Sequence, residues 1–212
     1  MHYYHALLLL LFTAPLGAQT TQPVPTGEYY LQGVMEVGSG FRLNADHTFD
    51  FFFTYGALDR AATGTWEQKG DSVILNSPPK PEHDFVLREA KRTDDSLLTI
   101  QVSDPNVMML GYIHCQVKTG DGQVLQGASD NSGRVTFDRA PVDSIALIHE
   151  FFPDRFSVFP VENADDNHYV FTIEPTIVEV AITDLVLRLE GDGLVGGHPL
   201  IKKEELRYVK GN

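Results

Sequence analysis

The sequence predicts an all-β fold, an antiparallel barrel or meander carrying a β-sandwich module, and three observations lead there. Apolar and polar residues alternate with a period of two almost everywhere after residue 27, the pattern of strands with one buried and one wet face. No window holds an i, i+3, i+4, i+7 apolar stripe bounded by helix caps. Turn residues recur roughly every 8 to 12 positions, the rhythm of a barrel or sandwich rather than of a sheet with crossover helices.

The first segment is of another kind. Ala6 to Phe12 is an uninterrupted apolar run, leucine from Leu7 to Leu11, followed by Pro15-Leu16-Gly17-Ala18. Too short to span a bilayer, it is expected to be the core of a signal peptide over residues 1–18. His2 and His5 stand where Lys or Arg is usual, and Leu16 where a small residue is preferred. The competing reading is an apolar first strand. Export makes the expected address periplasmic or extracellular. The cleavage region has no cysteine to lipidate. No later stretch approaches the ~18 apolar residues of a membrane-crossing helix, so no transmembrane segment is expected.

Each later element follows from its alternation. Phe49, Phe51, Phe53 and Tyr55 fall on one face of a strand and Asp50, Phe52 and Thr54 on the other. Leu98, Ile100 and Val102 form a second such face, Ile113, Cys115 and Val117 a third, and Tyr169, Phe171 and Ile173 a fourth. Turns are expected at Asn44-Ala45-Asp46, Lys69-Gly70-Asp71, Gly120-Asp121-Gly122, Asp130-Asn131-Ser132-Gly133 and Gly191-Asp192-Gly193, where Gly and Asn supply positive φ. Ser77-Pro78-Pro79-Lys80-Pro81 breaks the rhythm. Three of its five residues cannot donate a ladder hydrogen bond, so it reads as a stiff connector or an edge-covering loop.

Two stretches carry family resemblances. Gly27-Glu28-Tyr29-Tyr30, Leu43 to Phe53 with a turn at Asp46, Gly64-Thr65-Trp66 and Gly70-Asp71-Ser72-Val73-Ile74-Leu75 together resemble the small lipocalin-like domains of exported bacterial proteins. Cys115-Gln116-Val117, then Asp121 to Ala128, then Ser129 to Phe137 resemble the carboxypeptidase-regulatory or transthyretin-like β-sandwich. That resemblance implies an accessory or recognition module with no catalytic residues of its own. The tail, Leu185 to Leu194 and Leu206-Arg207-Tyr208, looks like closing strands of the lipocalin-like sheet. The expected organisation is therefore a split domain, residues 27–103 plus 176–210, with a sandwich inserted over 112–174. The alternative is two domains in series.

The formal charge is −13, from 16 Lys and Arg against 29 Asp and Glu, which makes nucleic acid and anionic lipid poor partners. A single cysteine, Cys115, excludes an intramolecular disulfide, so stability must come from a packed core.

The common catalytic signatures are missing. His149-Glu150 opens like a metalloprotease helix, but position 153 is proline where a second histidine belongs. His114 and Cys115, adjacent on one strand, face opposite ways, although His114 paired across strands with His168 would begin a polar site. The Asp-Gly turns lack the alternate-oxygen spacing of a calcium loop. No catalytic residue, metal ligand or cofactor is expected. Phe52, Tyr55 and Trp66 are the candidate ligand-binding residues, Phe52 because it lies opposite Phe51 and Phe53 on its strand. The expected function is a non-enzymatic exported binding or interaction protein of the bacterial envelope, whose partner is a small ligand or an envelope protein. The alternative is a secreted hydrolase whose site, drawn from residues such as Asp59, His83, Asp84 and His149, assembles only in three dimensions.

Overall fold

The computed structural model describes residues 24–203 and 205–211, and the expected signal peptide over residues 1–18 lies outside the described residues. Strands dominate, as expected. β1 (Gly27–Gln32), β2 (Val37–Leu43), β3 (Thr48–Tyr55), β4 (Leu58–Lys69) and β5 (Ser72–Asn76) run as an antiparallel meander. Then comes an excursion of eight strands. β6 (Phe85–Lys91), β7 (Leu97–Ser103), β8 (Ile113–Thr119), β9 (Val124–Ala128), β10 (Arg134–Asp138), β11 (Val142–His149), β12 (Phe152–Pro160) and β13 (His168–Ile173) build two four-stranded sheets. The chain returns through β14 (Leu185–Glu190), β15 (Gly193–Gly196) and β16 (Leu206–Lys210). β14 pairs with β5 and β16 with β1, closing an eight-stranded barrel.

Eight strands enclose an interior just wide enough for side chains, and the inward row fills it. Tyr29, Phe41, Phe49, Phe51, Trp66 and Tyr208 are all buried there with Leu43, Val73, Leu75, Leu187 and Leu194. At about 2 kcal/mol for each buried apolar side chain, these residues are the main source of the barrel's stability. Tyr208 donates its hydroxyl proton to the Gly197 carbonyl, and Trp66 donates its indole N–H to the Asn44 carbonyl at 3.1 Å, so the polar ends are satisfied. Gly64 is needed on β4 because a Cβ there would collide with the Asn76 carbonyl on β5.

The second core lies between the sheets ordered β10-β7-β13-β6 and β12-β11-β8-β9. Ile100, Val102, Ile113, Cys115, Val117, Ile145, Leu147, Tyr169 and Phe171 fill it. β6 and β7, expected in the split barrel domain over 27–103, belong to this sandwich. Alternation told which face of β7 is buried and could not tell against which sheet. The separating contact is β13, which inserts between β6 and β7, antiparallel to one and parallel to the other. The Asp130–Gly133 turn likewise joins no hairpin, because it carries the chain from β9 in one sheet to β10 in the other. Its Asp130 carboxylate accepts the backbone N–H of Ser132 and of Arg134.

Candidate functional site

The three residues singled out from the sequence do not converge. Trp66 points into the barrel, against His47 at one end of β3. Tyr55 is exposed at the opposite end of β3. Thr48 to Tyr55 spans seven steps of the strand, roughly 23 Å at ~3.3 Å per residue. Phe52 is 40% exposed on the outer wall between them.

Phe52 has neighbours set by the ladder. Tyr30 lies across from Gly40, Gly40 from Phe52 and Phe52 from Ala61, so one outer row reads aromatic, small, aromatic, small. Tyr30 and Phe52 meet edge to face over the glycine, with ring centroids 6.2 Å apart. A Cβ at Gly40 would run into the Tyr29 carbonyl and lie 3.0 Å from the Phe52 ring. The next row is Glu28, Arg42, Asp50 and Thr63. Glu28 accepts from Arg42 Nε at 3.0 Å and from the Tyr30 hydroxyl, and these two partners hold its carboxyl below the usual range, the tyrosine bond contributing most. Together the rows border a depression of about 280 Å³.

A second concave region lies where one end of the barrel meets the sandwich. Ser39, Phe53 and Arg60 are cross-strand neighbours, and all three are buried on the inward face. Arg60 reaches out of the barrel. Its Nη1 and Nη2 donate to the two carboxylate oxygens of Asp154 on β12, and Nε donates to the Val178 carbonyl at 3.1 Å. Its guanidinium also stands 5.3 Å from the centroid of the Phe152 ring. The strap 178–182 docks on β4 where β5 has turned away, with Val180 N–H donating to the Ala61 carbonyl at 2.7 Å.

His198 lies over the same barrel end, edge-on to Phe51 and Phe53 at 5.4 and 5.6 Å. Its Nδ1 accepts the backbone N–H groups of Leu200 and Ile201 at 2.9 and 3.0 Å. The proton must therefore sit on Nε2, which donates to Ser39 Oγ at 3.0 Å, while Ser39 donates to the Phe52 carbonyl. This is the reverse of the serine–histidine arrangement that activates a nucleophile, which needs a histidine lone pair facing the hydroxyl. Burial alone pushes the imidazole down to about 4. His149 repeats the pattern in the sandwich, Nδ1 accepting from Phe151 N–H and Nε2 facing the Met109 carbonyl at 3.0 Å. Burial is the main reason that it, too, is held below the ordinary histidine range.

The residues named for a hydrolase site are scattered over different partners. His83 stacks on Phe159, and Asp59 lies exposed on β4. Asp84 is buried between Arg155 and Lys80, at 2.9 and 3.5 Å. The polar site that a His114–His168 pair would have begun does not form, because the two residues lie in different sheets. His114 on β8 faces Ala128 and Ile148, whereas His168 on β13, in the other sheet, faces Lys91 and Thr99.

Sequence reasoning missed Arg60, Lys80, Arg155 and His198. Only Arg60 left a signal, a charge at a position in phase with Ala62 and Trp66. No family model, no curated protein and no solved structure matches the chain.

Proposed function

We propose that this chain is a non-enzymatic interaction protein of the bacterial envelope, exported to the periplasm or beyond. In this reading a lipocalin-like barrel and a transthyretin-like sandwich present a contact surface to another envelope protein. The observation that carries it is the outer-wall row of Tyr30, Gly40, Phe52 and Ala61, an exposed aromatic pair on a barrel whose interior is filled by its own side chains. A filled barrel directs binding to the outside. Exposed aromatic rings beside an arginine and carboxylates have the composition of a protein-contact hot spot, where rigid rings contribute area at low entropic cost.

The test is site-specific photocrosslinking in the native host. A photoreactive phenylalanine analogue at position 52 is expected to give a discrete adduct with an envelope protein, and the same analogue at the exposed Glu67 is expected to give none. Identical adducts from both positions, or none from position 52, would reject this surface.

A further inference from the structure

Two cations at the joint share one carboxylate. Lys80 Nζ lies 3.5 Å from Asp84, and Arg155 contacts the same carboxylate through Nε and Nη2 at 3.1 and 2.9 Å. Asp84 and Lys80 are almost fully buried, with side-chain exposures of 4% and 10%, and Arg155 is about one-third exposed. The nearby Asp154 is committed to Arg60. Among the described residues no other carboxylate comes within 4 Å of either cation. One positive charge is thus left uncompensated in a largely desolvated place, although the chain as a whole carries −13. Buried charge is normally paired, so the surplus favours an anion beside Lys80 and Arg155.

The geometry says where that anion would sit. Lys80 and Arg155 line one side of a cleft of about 420 Å³ between barrel and sandwich, together with Asp154, whose carboxylate is paired with Arg60, and with Val180, Ala181, Pro199 and Leu200 as its apolar walls. Lys80 donates to the Glu179 carbonyl, and Arg155 Nη2 donates to the Pro81 carbonyl. Arg155 Nη1 has no hydrogen-bond partner among the described residues. Clefts of this size at the boundary of two modules, apolar with a few converging polar groups, are the usual form of small-ligand sites.

We infer that this cleft binds a small organic carboxylate with a short aliphatic body, its head on Lys80 and Arg155 and its tail against Val180, Pro199 and Leu200. The surplus charge selects an anion, and the apolar walls select a body that inorganic ions lack. The Asp154 carboxylate in the cleft wall is neutralised by Arg60, and exposed charges more than a Debye length of ~8 Å away are screened at physiological salt. This site is separate from the outer-wall row around Phe52, and either can fail without the other.

Isothermal titration of the full chain with sodium octanoate, 1-octanol and sodium acetate tests it. Octanoate is expected to bind at one site, at least tenfold tighter than either of the others. Ala181→Phe, which fills the cleft from an exposed position and leaves every residue of the ion cluster unchanged, is expected to abolish binding while the unfolding midpoint stays put. Arg155→Gln is expected to weaken octanoate at least tenfold and leave octanol unchanged. Octanol binding as tightly as octanoate, full affinity in the Ala181→Phe protein, or no heat with octanoate at millimolar concentration would each overturn the assignment.

Discussion

Asp154, near the start of β12 in the sandwich, receives both terminal nitrogens of Arg60, whose side chain rises from an inward-facing position of the barrel. This pair is a clamp between two cores that share the apolar neighbour Leu58. Arg60 is almost fully buried whereas Asp154 is 42% exposed, so the two partners respond differently to removal. Arg60→Met takes the side-chain donor from the Val178 carbonyl, leaves Lys80 as the side-chain donor to the Glu179 carbonyl, and is expected to cost about 3 kcal/mol. Asp154→Asn leaves an aspartate-sized acceptor near water and is expected to cost about 1 kcal/mol. Arg60→Lys is not a rescue, because an ammonium cannot reach the carboxylate and both carbonyls at once. Urea unfolding of the three variants checks the ranking.

Trp66 is the only tryptophan and Cys115 the only cysteine, one buried in each core. Burial pushes the Cys115 thiol up to about 12, so it stays protonated and is expected to resist thiol reagents until the sandwich opens. Indole fluorescence and thiol reactivity therefore report the barrel and the sandwich separately. In the native protein the two probes are expected to give one coincident urea transition. In Arg60→Met they are expected to separate, with the two midpoints measurably apart.

His198 makes stability fall on mild acidification. The fold holds this imidazole at about 4, below the ~6.5 of an unfolded histidine, so the unfolded chain takes up the proton first. The contribution is complete above pH 6.5 and is lost as the pH falls toward about 4. Each pH unit of displacement is worth about 1.4 kcal/mol, reduced by residual solvation of the ring, and the loss across the window is about 2 kcal/mol. His149 adds a contribution of the same sign. His198→Phe is expected to be less stable at pH 7, since Ser39 and two backbone N–H groups lose a partner, yet to show a flatter profile between pH 7 and 5. Thermal midpoints across that range provide the measurement.

Gly64 and Gly38 separate a backbone constraint from a side-chain one. An added Cβ meets the Asn76 carbonyl and the Phe49 ring in the first case, but only the Thr54 hydroxyl in the second. Gly64→Ala is expected to cost about 3 kcal/mol, because a strand must shift. Gly38→Ala is expected to stay within about 1 kcal/mol, because the exposed Thr54 can change rotamer. Denaturation midpoints measured side by side distinguish them.

The legible part of this molecule was the part governed by period two. Phe49, Phe51 and Phe53 announced an inward face, Asp71 and Asp192 sat beside glycines where hairpins turn, and the proline run at 78–81 marked the crossing from barrel to sandwich. Partnership across long separations was not legible. Leu98, Ile100 and Val102 would alternate identically in either module, and β7 went to the sandwich because β10 and β13 lie on either side of it. The site residues were hidden for a related reason. Lys80 sits in a proline-rich connector and His198 in a glycine-rich one, where no periodicity assigns a face. His198 takes its role from Ser39, 159 residues away, and Lys80 takes its role from Asp84, four residues on in the same connector, where Arg155 of the sandwich meets the same carboxylate. Phe52 was correctly separated from Phe51 and Phe53, but its pairing with Tyr30 over Gly40 required the register of three strands.

The first and last strands of the barrel are hydrogen-bonded to each other, with Tyr29 opposite Lys210 and Leu31 opposite Tyr208. That closure sets an order of assembly. As the chain emerges from a ribosome, β1 to β5 precede the sandwich and have no closing partner. The sandwich is complete once residue 173 is out, and it can fold while the barrel is still an open sheet with bare edges. Bringing the two ends of the barrel together is the slow, long-range step, and a folded sandwich shortens it by holding the chain near residues 84 and 174 in place, where Glu174 N–H donates to the Asp84 carbonyl. A chain stopped just before β16 would therefore leave the ribosome with one finished body and one unfastened, aggregation-prone sheet.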